Sequence, residues 1–398
     1  MTDTDSSAAE QWFRFLRFCI DDRQPVPDGL GRMDWDALYR FLSEQALLGV
    51  GFSGVERLGA QGGVPRRLLL CWYAQARQIR QKNAVLNRRC GEIAAHLRAE
   101  GRRCCILKGQ GNARMYPDPG LRAPGDIDVW VEGSREETMR LVRRRFPHTP
   151  IRFHHVDYPI YDDAPVELHF MPASMNNPVC HRRLARWFDS QRDRQFANCV
   201  ALAETGTCGN TAGNTEGDSK TAGETESCGK TAWHTEDGGG VLIPVPTADF
   251  NLVYQLTHMM HHFFDEGIGL RQMMDYYFLI KSEKLKVNNG RDDLDEMLRY
   301  LGLRKFAGAV MYVLQTVFGL EDRYLIVPAD EWRGRTLLAE IMHGGNFGQH
   351  SGLGQHSAGA KYLLKIRRNM HFVRQYPAEA LCEPVFRTWH FFWRMMNR

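Results

Sequence analysis

Through the first hundred positions apolar residues recur at three- and four-residue spacing. They do so in WFRFLRFCI, in WDALYRFLSEQALLGVGF and in the long run from Arg66 to Glu100. That spacing predicts amphipathic helices. In the long run Leu69, Trp72, Ala76, Ile79, Ala84, Leu86, Ile93 and Leu97 form one expected stripe, which Gly101 ends. Residues 1–100 therefore read as a helical region that caps whatever follows and carries no chemistry of its own.

From Cys104 strands and helices alternate. CCILKG reads as a strand, followed by a short helix closing at YPDPG, a loop, and a second strand, DIDVWV. Ser134 then stands as an N-cap, with Glu136 and Glu137 in the first turn of a basic helix. FHHVDYPIY and VELHF flank a turn at Asp162-Asp163-Ala164-Pro165 and read as a hairpin. Residues 204–240 hold three copies of a ten-residue unit, TAGNTEGDSK, TAGETESCGK and TAWHTEDGGG. Such a segment lacks the large apolar residues needed for a core, so a disordered insert is expected there.

From Ile243 the period is helical again. Thr247 is the expected N-cap of TADFNLVYQLTHMMHHFF, and DLDEMLRYLGLRKFAGAVMYVLQTVFGL makes one long helix or two shorter ones. WRGRTLLAEIM precedes a Gly-rich break, HGGNFGQHSGLG, and a basic, aromatic tail. The tail fits a membrane surface, but a capping pair of helices uses its aromatic residues as well and is the preferred reading. The resulting organisation is a helical region at 1–100, an α/β core at 101–203, the insert at 204–240 and a helical domain at 241–398.

Composition narrows the class. At 398 residues the chain is long enough for two or three domains. Its 43% hydrophobic and 25% charged content is that of a soluble globular protein. A net charge of +4, from 51 basic and 47 acidic residues, argues against a bulk nucleic-acid binder. Ten cysteines without any C-x-x-C spacing suit a reduced setting. The polar N-terminus is no secretory signal, and no run approaches the ~18 apolar residues of a membrane span. A soluble, cytoplasmic protein with no membrane span is expected.

The chemistry concentrates between Cys104 and Val131. Asp126 and Asp128 lie two residues apart in an expected strand, so both side chains leave one face. Adjacent carboxylates repel unless a cation sits between them. Lys108-Gly109 closes the preceding strand where a helix begins, a place where backbone N–H groups can hold phosphate. A metal platform beside a phosphate turn is the minimum needed to move a phosphoryl or nucleotidyl group. His258 and His262 share a helix face at i,i+4, with His261 beside them, but the glutamate of H-E-x-x-H is missing. A structural or substrate-facing pair is preferred there to a zinc site. Arg271 and Asp275 are spaced to pair along a helix. No P-loop, dinucleotide-binding, nucleophile-elbow or kinase motif occurs.

The run from Leu107-Lys108-Gly109 through Y-P-D-P-G-L-R and G-D-I-D to Val131 resembles the uncharacterised bacterial nucleotidyltransferase family of the polymerase-β-like superfamily. Further matches fall at His258, His262 and Phe263, at Gly267 to Gln272 with Asp275, and at Gly345 to Gly348. The resemblance implies an α+β fold, a small mixed β-sheet nucleotidyltransferase core flanked by the N-terminal and C-terminal helical regions. It also implies in-line attack on the α-phosphorus of a nucleoside triphosphate, with two Mg²⁺ (or Mn²⁺) ions roughly 3.5–4 Å apart. Asp126 and Asp128 would bridge the ions, and a third carboxylate would come from a neighbouring strand. Glu167 is the choice, with Asp157 and Asp162 as alternatives.

On the nucleotide side the resemblance implies Lys108, Gly109, Gln110, Arg122 and Gly125. Where the superfamily carries Gly-Ser or Gly-Gly, this chain has Lys-Gly-Gln. Lys108 then either adds charge to the triphosphate or pairs with Asp126, and Arg122 either clamps a phosphate or bonds Asp118. His258, His262 and Arg271 would line the opposite wall of the cleft. The implied partners are a nucleoside triphosphate and a small-molecule or protein acceptor; near-neutral charge disfavours long nucleic acid, while the basic tail argues mildly the other way. Two competing readings remain: a nucleotide-binding module that acts through a partner without turnover, and a metal-dependent phosphohydrolase.

Overall fold

The computed structural model describes residues 3–202, 241–282, 291–346 and 358–396. Four helices open the chain: α1 (Asp3–Ile20), α2 (Trp35–Glu44), α3 (Leu48–Leu58) and α4 (Arg66–Ala99). The segment expected as one helical run from Trp35 breaks into α2 and α3 at Ala46, whose φ of 55° is left-handed. The side chain of Gln45 fixes the break. It donates to Ile341 O at 3.0 Å and accepts from Leu270 N at 2.9 Å, tying this corner to the C-terminal half. In α4 the buried stripe runs through Leu68, Trp72, Ala76, Leu86, Ile93 and Leu97. Leu69 does not belong to it, being 37% exposed, because Leu68 takes the inward position one residue earlier.

The chain then forms β1 (Cys104–Leu107), α5 (Gly109–Ala113), β2 (Ile127–Val131), α6 (Arg135–Arg143), β3 (His155–Asp157) and β4 (Val166–His169). The four strands make one sheet in the order β1-β2-β4-β3. β2 runs antiparallel to β1 and parallel to β4, and β3 is antiparallel to β4, so the sheet is mixed. The expected N-cap forms and is completed into a capping box: Ser134 Oγ accepts from Glu137 N at 3.2 Å and Ser134 N donates to Glu137 Oε2 at 2.8 Å. β3 and β4 pair as expected, but β3 stops at Asp157, just before Pro159, which has no N–H to give the ladder.

Next come α7 (Pro178–Ala197), β5 (Cys199–Leu202) and β6 (Val241–Pro244). β5 and β6 pair antiparallel with Leu202 opposite Val241, so the two ends of the repeat segment are neighbours. The disorder expected for 204–240 lies outside the described residues. α8 (Ala248–Asp265), α9 (Leu270–Lys281), α10 (Arg291–Tyr300), α11 (Arg304–Phe318), α12 (Glu331–Gly344), α13 (Ala358–Met370) and α14 (Pro377–Met396) complete the fold. Thr247 occupies the N-cap position of α8, yet its hydroxyl bonds Gln195 Oε1 at 3.0 Å instead of capping the helix. Gly302, at φ +77°, divides α10 from α11. α13 and α14 fold back on the end of α8, where Asp265 takes Lys365 and Arg387, each at 2.8 Å.

Both faces of the sheet are covered. One presents Ile127, Val129, Val131, Val156, Val166 and Leu168 to the second half of α4 and to α6. The other meets α7 and α8 through Trp130, Phe188 and Phe250, in a core that continues into α1–α3 and α11. The class is α+β, a small mixed sheet within helical regions. Among the described residues no helix is long and apolar enough to cross a membrane.

Candidate active site

Three neighbouring strands place ligand-type side chains on the face that meets α8. In a strand every second residue shares a face. Asp128 therefore leaves β2 on the side away from Ile127 and Val129, and Asp126 stands one residue ahead of the strand. The parallel register sets Asp128 opposite Glu167, and the antiparallel register sets Glu167 opposite Asp157 and His169 opposite His155. Asp128, Glu167 and Asp157 thus form one row across the sheet, with His169 and His155 in the next. Asp162 sits exposed in the loop after β3, outside these rows. His154, His155 and His169 went unrecognised in the sequence, although E-x-H in VELHF and H-x-D in HHVD carry the two-residue spacing of shared faces.

Within this grid Asp128 is the hub. It is 2% exposed. Its Oδ2 lies 3.0 Å from Lys108 Nζ and its Oδ1 2.9 Å from His169 Nε2. His169 Nε2 also lies 3.3 Å from Glu167 Oε2, and His155 Nε2 approaches that oxygen at 3.5 Å. Lys108 pairs with Asp128 where sequence spacing pointed to Asp126, because the antiparallel register sets Leu107, its neighbour in β1, opposite Asp128. Lys108 Nζ is shared with His258 Nε2 at 3.0 Å, so α8 reaches the carboxylates through His258.

The charges shift one another. The negative charge of Asp128, then burial, pushes the Asp126 carboxyl up. Burial opposes ionisation of Asp128, but Lys108 and His169 outweigh it and hold its pKa well below the usual carboxylate range. Burial likewise works against the His169 imidazolium, yet Asp128 and Glu167 raise it to about 9. Burial, then the neighbouring Lys108 ammonium, holds His258 neutral, well below the usual imidazole range.

The turn after β1 is conformationally strained. Lys108 has φ 44°, a region that L side chains rarely adopt, and Gly109 follows at φ 48°. Such a residue stores about 1–3 kcal/mol and persists where its surroundings fix it. A Cβ on Gly109 would lie 3.7 Å from Asp126 O, so the turn runs against the carboxylate strand. Gln110 does not face the cleft as the nucleotide reading expected. It is buried, and its amide donates to Asn87 Oδ1 and Asn83 O on α4, because α5 turns that side inward.

Arg122 has a protein partner here: its Nε and Nη2 donate to Asp275 Oδ1 and Oδ2 at 2.8 and 2.7 Å, and its Nη1 to Ala123 O at 3.3 Å, so its guanidinium ties the loop before β2 to α9 at the wall of the cavity that Asp126 and Gly109 also line. Asp118, its other expected partner, bonds Arg80 at 2.8 Å. Asp275 is the hydrogen-bond partner of Arg122 and of Tyr116 Oη (2.7 Å), and Arg271 acts on it through its charge. Arg271 Nη1 instead reaches Pro124 O at 3.5 Å and passes close to Gly125. Arg271, Gly125, Asp126, His258 and Gly109 line one small cavity of about 30 Å³. His262 sits one turn along, its Nδ1 3.5 Å from Glu266 Oε2.

The donor set suits a hard divalent cation. Asp128, Glu167 and His169 bring ligand atoms within 4.8 Å of one another, and Asp126 adds a further carboxylate at the head of β2, at the wall of the small cavity. Carboxylate oxygens of this kind are those that Mg²⁺ and Mn²⁺ take. In this structure the neutralising charge comes from Lys108 and His169.

The model of a family described as "Uncharacterised nucleotidyltransferase" matches residues 31–204 and 221–319. No curated protein matches the chain. Among solved structures, an antigenic nucleotidyltransferase-like protein from Paracoccidioides brasiliensis is 13% identical, with 56% of this chain and 94% of that chain covered and a TM-score of 0.27.

Proposed function

The chain belongs to this uncharacterised nucleotidyltransferase family, and on that premise we propose that it moves a nucleoside monophosphate from a nucleoside triphosphate to an acceptor hydroxyl, releasing pyrophosphate. The observation that carries the reading is the register of Asp128 against Glu167 on adjacent parallel strands, with Asp126 at the head of β2 and Lys108 on Asp128. Asp126, Asp128 and Glu167 would hold Mg²⁺ or Mn²⁺. When bound, the cation supplies charge stabilisation at the reacting phosphate and acidifies the attacking hydroxyl.

The chain's own residues do the rest. Lys108 is a compact point charge on the strained turn, suited to a phosphate oxygen once a cation takes over Asp128. Arg271 adds positive charge in the same cavity, beside Gly125 and Asp126. Arg122 positions the loop before β2 through Asp275. The cavity over the carboxylates is small, about 30 Å³, but Lys108 and Asn112 also line a neighbouring cavity of about 1640 Å³, which has room for a ligand. The acceptor is a small molecule or a protein side chain; a net charge of +4 supports neither a long nucleic acid nor its phosphate track. Among the described residues the eight cysteines are free thiols, which supports a cytoplasmic setting.

The test is incubation of the protein with labelled nucleoside triphosphates, Mg²⁺ or Mn²⁺ and cell extract. Label transfer with pyrophosphate release, lost in Asp126→Ala/Asp128→Ala, is the expected result. A second reading, a nucleotide-binding module without turnover, is favoured by the two protein cations that already neutralise Asp128. Nucleotide binding with neither transfer nor pyrophosphate release would establish it; release of inorganic phosphate would mark a phosphohydrolase.

A further inference from the structure

Lys108 approaches the carboxylates from the β1 edge of the sheet. Toward the opposite, β3 edge three imidazoles come together. The ring centroids of His154 and His155 are 4.6 Å apart, those of His154 and His169 5.4 Å, and those of His155 and His169 5.1 Å. One ligand nitrogen from each lies within 4.8 Å of the other two.

Two of the cluster's ring nitrogens are buried without a hydrogen-bond partner. His169 is 2% exposed, and its Nδ1 makes no hydrogen bond; His155 Nδ1 makes none either. A buried nitrogen without a partner costs about 1–3 kcal/mol, so packing alone gives no reason to gather three imidazoles here. His169 Nε2 faces Asp128 and Glu167, the carboxylate support that metal-bound histidines commonly have.

We propose that His154, His155 and His169 bind one borderline divalent transition-metal ion, of the Zn²⁺ or Co²⁺ kind, at the β3 edge of the carboxylate platform, with His169 standing between the two. Imidazole nitrogen suits such ions, whereas Mg²⁺ prefers oxygen. The second site is therefore selective against the ion proposed for the first. It does not rest on nucleotidyl transfer and is read without it.

The experiment uses the full chain without a histidine tag, stripped with chelator and titrated with Co²⁺ at neutral pH. The expected result is one equivalent bound with a visible ligand-field band that Zn²⁺ displaces and excess Mg²⁺ does not. His154→Ala/His155→Ala should weaken binding at least tenfold, on the order of the loss seen even for supporting residues of metal sites. Asp126→Asn should keep the band. Absence of a band, a band unchanged in the double variant, or its loss in Asp126→Asn would each overturn the proposal. Should the double variant lack a cooperative thermal transition, His154→Gln in its place must show weakened binding, and unchanged binding there overturns the site equally.

Discussion

Asp128 and Asp275 are both buried carboxylates held by protein cations, and they are built in different ways. Asp275 receives a planar guanidinium fork from Arg122 and a hydroxyl from Tyr116, all between 2.7 and 2.8 Å. Each donor has one partner and one geometry, and the cluster joins the loop before β2 to α9. Asp128 instead meets two cations of different kinds, a lysine shared with His258 and a histidine shared with Glu167. Asp126 adds a further negative charge without a fixed fork. A saturated bidentate pair is a clamp. A cluster in which every group is shared can exchange one cation for another, and chemistry needs the second kind of centre.

The comparison is tested most strongly by removing each carboxylate. Asp275→Ala strands a buried guanidinium, and breaking a buried pair in that way destabilises by about 3–5 kcal/mol. Asp128→Ala leaves His169 on Glu167 and Lys108 under the charges of Asp126 and Glu167, so we expect a smaller loss, about 1–3 kcal/mol, with transfer abolished. Urea unfolding of the two variants reads the difference. Equal losses would end the distinction between clamp and exchangeable centre.

Glu379, near the start of α14, supplies a third case, a buried carboxylate held by backbone N–H groups rather than a cation. It accepts from Asn176 N at 3.0 Å and Asn177 N at 3.3 Å, and burial raises it from 4.5 to about 7. The folded state therefore holds this proton more tightly than the unfolded chain. Its stabilising contribution is complete below pH 4.5 and is lost as pH rises through about 7. A shift of that size corresponds to about 3 kcal/mol. We therefore expect Glu379→Gln to remove most of this pH dependence, about 3 kcal/mol, between pH 4.5 and 8. For Asp275 the sign reverses. Burial opposes its charge, Arg122 outweighs burial and lowers its pKa, and its stabilisation is present at neutral pH and lost on acidification. Thermal melts between pH 4.5 and 8 read Glu379 and melts below pH 3.8 read Asp275, and a parallel slope in wild type and Glu379→Gln between pH 4.5 and 8 would contradict the assignment.

What could be read from the sequence followed from local rules. Period-two spacing gave β1, β2 and β4, the Ser134 box gave α6, and the Asp126/Asp128 pair with Glu167 needed only strand alternation and the family's pattern. Arg122 escaped because its partner is 153 residues away, and nothing near Asp275 distinguishes Arg122 from Arg271 as the donor. Gln110 escaped because a five-residue helix has no period that tells which side faces α4. The histidine cluster depended on the β3–β4 register, which brings HHVD beside VELHF and follows from pairing rather than from composition.

Lys108 gives the finest test, because backbone and side chain can be separated there. Its φ of 44° disfavours any residue with a Cβ. Lys108→Ala and Lys108→Gly remove the same ammonium from Asp128 and His258, so the electrostatic loss cancels between them. Only the Gly variant also relieves the backbone, and it should be the more stable by about 1 kcal/mol, the low end of the strain such a residue stores. Differential scanning calorimetry of the pair measures this directly. A more stable Ala variant would mean that the turn relaxes once the side chain is gone. Its present shape would then be imposed by the Lys108–Asp128 contact, and the strain would belong to the exchangeable centre itself.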